Sequence, residues 1–176
     1  MKSIVYTTII IVVNLSAINH TYGNDGTIIC SITTTNIIFT GYNPYDANLE
    51  RSNGTIKVTC KNMSLSRNLS YVVTLKASSS GNPLSILVKN GVETVSYSLF
   101  KDSTLSQILG DGTNTSTTIT NTFTLPTMGT TTDTYTIYAK IPTQPLSKPM
   151  TYSDTITATL IYTYQDLINI VIGLNL

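Results

Sequence analysis

From Ile168 to the end, the chain alternates. Ile168, Ile170, Ile172, Leu174 and Leu176 share one parity, and Asn169, Val171, Gly173 and Asn175 the other. In an extended strand successive side chains point to opposite faces, so this tail predicts one continuous apolar edge. Such an edge must be buried, in the chain's own core or in a neighbour's, and that choice separates a self-contained domain from a subunit of a polymer. Leu167, Val171 and Leu174 also have helical spacing. The Ile and Val content, the glycine and the shortness of the segment favour a strand.

The chain has 176 residues, enough for one domain with a real core and few for two. Charged residues are 11% and the formal net charge is +1, with no basic patch or run of like charge, so nothing points to nucleic acid. Lys2, the apolar stretch from Ile4 to about Ile18, and Thr21-Tyr22-Gly23 read as a signal for export, cleaved after Gly23. A membrane anchor and cleavage after Ala17 are the other readings. On this division residues 1–23 are a signal peptide and 24–176 the domain. Cys30 and Cys60 are the only cysteines. In an oxidising compartment the pair is most simply one disulfide. A metal pair or a nucleophile is the alternative, but a metal needs further soft ligands and the only histidine is His20.

The rest is a series of short β-like runs divided by turn residues. Thr27–Thr35, Asn36–Phe39, Gly54–Cys60, Leu69–Lys76, Thr134–Ile141 and Ser153–Tyr164 are strand candidates. Leu84–Asn90 and Glu93–Lys101 predict a hairpin across Asn90-Gly91. Many short strands, no helix of ordinary length and one cysteine pair describe a β-sandwich, with a barrel as the alternative.

Several pieces then follow one another in order: Phe39-Thr40-Gly41-Tyr42-Asn43-Pro44, Asn53 to Cys60, Tyr97 to Asp102, Leu109-Gly110-Asp111-Gly112-Thr113, Tyr135 to Pro142, and Tyr152 to Ile156. This series resembles the spore coat protein U domain family, which includes the subunits of archaic chaperone–usher pili, from about Cys30 to Tyr164. The resemblance implies an all-β, immunoglobulin-like, pilin-type sandwich that lacks its last strand. It implies that Cys30 and Cys60 are the family's paired cysteines, and that Gly110-Asp111-Gly112 is the family's turn. The partners it implies are a periplasmic chaperone, an outer-membrane usher and other pilin subunits, met on the way to the surface of a Gram-negative bacterium. The gap in such a domain is filled by strand addition.

Two departures from the family pattern matter. A donor subunit needs an alternating apolar arm before its first cysteine, and Asn24–Ile29 is too short for one. The chain also runs past the family pattern into its apolar tail. The expectation is therefore that Leu167–Leu176 fills the domain's own groove, since closing an adjacent segment costs little. Donation of the tail to another molecule, or loss of a second domain, are the alternatives.

A catalytic reading has little support. Without His20 no Ser-His-Asp arrangement can form, and Asp102, Asp111 and Asp154 lie in separate segments. No enzyme activity, metal or cofactor is expected. Tyr42 and Tyr45 flank a turn and are the candidates for contact with sugars or apolar surfaces, with core packing or turn stacking as their other role. The expected function is a structural subunit or tip-type domain of a surface pilus or coat. The alternative is a self-complemented adhesin domain that holds a glycan or surface through its loops.

Overall fold

The structure, a computed structural model, describes residues 10–21, 27–40, 42, 50–78, 82, 86–90, 93–144 and 151–166. Its side-chain environments cover the same segments except 10–21, 86–90, 93 and 166. Ten strands run through these segments: β1 (Ile10–Thr21), β2 (Ile28–Thr34), β3 (Ile37–Thr40), β4 (Glu50–Asn62), β5 (Arg67–Ala77), β6 (Ile86–Asn90), β7 (Glu93–Phe100), β8 (Ile119–Leu125), β9 (Thr130–Ile141) and β10 (Tyr152–Asp166). They form two five-stranded sheets, with orders β3-β1-β10-β5-β8 and β2-β4-β9-β7-β6. The expected all-β sandwich is what the chain adopts.

Alternation drives the layering. On β4, Gly54, Ile56, Val58, Cys60 and Asn62 are buried, while Arg51, Asn53, Lys57 and Lys61 are exposed. On β5, Leu69, Tyr71, Val73 and Leu75 are buried, and on β10 so are Tyr152, Asp154, Ile156, Ala158, Leu160 and Tyr162. One face of each of these strands thus enters a single core between the sheets, with the polar residues of the same strand outside. The hairpin also forms: β6 and β7 pair antiparallel, with Asn90 opposite Glu93.

Cys30 and Cys60 are direct partners in the β2–β4 ladder and form a disulfide. The bond ties β2, at the edge of its sheet, to the strand beside it. Both cysteines lie in the core.

Between β2 and β3 the chain passes from one sheet to the other. It does so against Gly54, which explains a glycine in the middle of a long strand. A β-carbon there would come within 2.8 Å of both the Thr35 carbonyl oxygen and the Ile37 side chain. The crossing is fastened on both sides, by Thr35 N–H donating to the Thr55 carbonyl (3.0 Å) and Thr55 N–H donating to Thr35 Oγ1 (2.8 Å). Gly54→Ala is expected to cost about 1–3 kcal/mol, as overpacking of a tight site does. Thermal melting checks this; an unchanged midpoint would show that the crossing shifts freely.

Candidate functional site

The first sheet contains an unusual neighbour relation. β1, the earliest described segment, lies between β3 and β10, the last described strand. It runs parallel to β10 from Ile11↔Tyr152 to Thr21↔Tyr162, and antiparallel to β3 from Ile10↔Thr40 to Val13↔Ile37. β3 and β10 do not pair with each other; only β1 joins them. Without it the sheet has a slot one strand wide, and the backbone edge of β10 along that slot has no ladder partner.

The slot's surroundings are apolar. Phe39 and Ile37 of β3, and Tyr152, Ile156, Ala158, Leu160 and Tyr162 of β10, are all buried. Ile11, Val13, Leu15 and Ala17 occupy the register positions of Tyr152, Asp154, Ile156 and Ala158. The strand in the slot therefore carries aliphatic residues opposite the first four members of the buried row of β10, and Asn19 and Thr21 opposite Leu160 and Tyr162. The same residues belong to the segment whose composition reads as an export signal.

One polar group sits in that buried row. Asp154 is buried, and its carboxylate accepts hydrogen bonds from the Tyr97 hydroxyl (2.8 Å), Ser78 Oγ (3.0 Å) and Thr155 N–H (2.8 Å). Tyr97 is on β7, so this contact joins the two sheets through the core. Burial pushes the Tyr97 phenol well above its ordinary range, and the Asp154 charge and hydrogen bond push it further. The phenol stays a donor to Asp154, which keeps the buried carboxylate satisfied. Two of the ordered sequence pieces, around Tyr97 and around Asp154, thus meet in space. A second clasp lies at the other end: Tyr71 Oη donates to Asp133 Oδ2 (2.6 Å), and Asn121 Nδ2 donates to the same oxygen (3.0 Å).

The turn at Gly110-Asp111-Gly112 is a structural device. Gly112 has φ +88°, a backbone that favours glycine, and Asp111 accepts from the Thr113 N–H (3.0 Å) and hydroxyl (2.6 Å). These bonds hold the Asp111 carboxyl below its usual range. The turn docks on β5, where Leu75 N–H donates to the Gly110 carbonyl (3.0 Å).

Other sequence candidates fall as follows. Tyr42, expected on a turn surface, is only 2% exposed. Its hydroxyl donates to the Gln144 carbonyl (3.0 Å) and accepts from the Gln144 N–H (3.1 Å). It is thus a core residue and a lock on the segment after β9, a contact no local pattern announces. Tyr45 and the tail residues Ile168, Ile170, Ile172, Leu174 and Leu176 lie outside the described residues. Asp102 and Asp111 are spent on their own loops, and Asp154 is enclosed. Among the described residues, no group of three or more His, Cys, Asp or Glu could hold a metal ion. No helix among them is long and apolar enough to cross a membrane.

No curated protein sequence matches the chain. The profile of the Spore Coat Protein U domain matches residues 24–159. That span begins just after β1 and contains the strands from β2 through about the first half of β10, with both cysteines, the crossing at Gly54 and the Tyr97–Asp154 contact. Sequence order, disulfide, sandwich and profile agree: this chain belongs to the Spore Coat Protein U domain family.

Proposed function

We propose that the chain is a structural subunit, or tip-type domain, of a surface pilus or coat, exported through the periplasm and assembled by β-strand complementation. One observation carries this reading: the span that matches the family excludes β1, and the sandwich without β1 has a strand-wide slot between β3 and β10. A buried apolar row beside an unpaired backbone edge is the arrangement that strand addition uses, with main-chain hydrogen bonds for affinity and alternate side chains for fit. A periplasmic chaperone, an outer-membrane usher and sister subunits are the partners this assembly calls for.

After removal of residues 1–23, the slot needs another occupant. Leu167–Leu176 follows β10 directly and alternates throughout. Strands joined by a short turn run antiparallel, so the tail would lie in the slot with polarity opposite to that of β1. We favour this closure within one molecule over donation to a neighbour. It suits a tip-type domain, and an adhesin role is the second reading.

Hydrogen exchange on a chain starting at Asn24 tests the proposal. The slot-side amides of β10 between Tyr152 and Tyr162 are expected to be protected, in a monomer if the tail folds back and only in polymers if it is shared. Unprotected slot-side amides in a folded monomer would show that the slot needs no occupant, and would sink the reading.

A further inference from the structure

The outer face of the second sheet carries a separate feature. The outward positions of β4 and β9 include Arg51, Lys57, Lys61 and Lys140, among threonines, Asn53 and Tyr138. No carboxylate occupies an outward position of β2, β4, β9 or the described part of β7. Arg51 and Lys140 are direct cross-strand partners. Their β-carbons are therefore about 5 Å apart, and like charges so placed repel. With a net charge of only +1 for the whole chain, this pairing concentrates positive charge locally.

Arg51 borders a cleft, and Lys140 stands beside it across the ladder. A concavity of about 250 Å³ is lined by Arg51, Ser52, Asn53, Ser103, Leu105, Tyr138 and Ala139. Asn53 and Tyr138 are also direct partners in the ladder, one step from Arg51 and Lys140 on the same face. The opposite wall is the loop after β7, which is firmly built. The Asp102 carboxylate accepts from Gln107 N–H (2.7 Å), Ser106 N–H (3.1 Å), Ser106 Oγ (2.9 Å) and the Thr104 hydroxyl. The Asp102 carboxylate is thus saturated by its own loop. Leu105 on this wall has φ +59°, a left-handed backbone uncommon for leucine.

We propose that this cleft binds a carboxylated sugar, a uronic or sialic acid residue of an acidic glycan. Arg51 and Lys140 meet the carboxylate, and binding it relieves their mutual repulsion. Tyr138 offers a ring against which a pyranose face packs, and Asn53 and Ser103 supply an amide and a hydroxyl for the sugar hydroxyls. The volume suits one ring. A single such site is weak, and repetition of subunits along a fibre would multiply it by effective concentration. The site is independent of the slot and stands whether or not strand complementation holds.

The experiment is a titration of the full chain with glucuronic acid and with N-acetylneuraminic acid, followed by NMR shifts, with glucose and inorganic phosphate as comparison probes. Shifts are expected at Arg51, Asn53 and Tyr138 with both acids and not with glucose. Arg51→Gln and Lys140→Gln should each weaken binding about tenfold. Lys57→Gln, the same charge change away from the cleft, should leave it unchanged. Retained chemical shifts elsewhere would verify that each variant is folded. The proposal is overturned by no response to either acid, by equal binding of glucose, by equal loss in Lys57→Gln, or by phosphate binding as tightly as the acids, which would mean an adventitious ion only.

Discussion

A chain cut to residues 24–166, without β1 and without the tail, is expected to give no soluble monomer on its own. Loss of β1 leaves the slot side of β10 unpaired from Tyr152 to Tyr162. It also takes the neighbouring strand away from Phe39, Ile37, Ile156, Leu160 and Tyr162, all now buried. At about 25 cal/mol per Å² of apolar surface, partial exposure of five large side chains amounts to several kcal/mol. Unpaired backbone groups add to this. A domain of this size has about 5–15 kcal/mol in total, so the effect is close to all or none. Adding a peptide of Leu167–Leu176, or of Ile10–Thr21, is expected to restore soluble, cooperatively melting protein. The measurement is soluble yield and thermal melting of 24–166 against 24–176. If the shorter chain melts at the same temperature unaided, the slot does not need a strand.

Cys60→Ser is expected to have the next largest effect. The disulfide spans a sequence separation of 30 and joins an edge strand to its neighbour. Constraint of the unfolded chain over a loop of that length contributes about 3–4 kcal/mol. The melting midpoint should fall on the order of 10 °C, and secreted yield should fall with it. Unchanged melting under oxidising conditions would mean that β2 is held by its ladder and the core alone.

Most of the strands were legible because alternation is a local signal. Ile56, Val58 and Cys60 on β4, and Ile156, Ala158, Leu160 and Tyr162 on β10, have the period that their burial requires. β1 was not. Ile11, Val13, Leu15 and Ala17 alternate, but they sit inside an apolar run that follows Lys2, and that run also fits an export signal. One stretch of sequence fits two physical demands, and its composition favours the export reading. For Tyr42 the sequence left surface contact and core packing both open, because its partner, Gln144, is about a hundred residues away. A turn-rich neighbourhood says nothing about which distant segment closes over it. The Arg51–Lys140 pair was hidden for the same reason. Charge runs are read along the chain, whereas this one is created across a ladder between β4 and β9. The tail's alternation remains a property of sequence, tied to the slot only by fit.

The parallel seating of a strand beside β10 has a mechanical consequence. Eleven residue pairs lie in register along that seam, from Ile11↔Tyr152 to Thr21↔Tyr162. A force drawn along the strand axis loads these links together, in shear, instead of opening them one after another from an end. The joint would then resist tension far better than its equilibrium strength implies, because its lifetime under load follows the barrier to rupture. Any strand that takes that place after removal of residues 1–23 would be loaded the same way wherever the force runs along its axis.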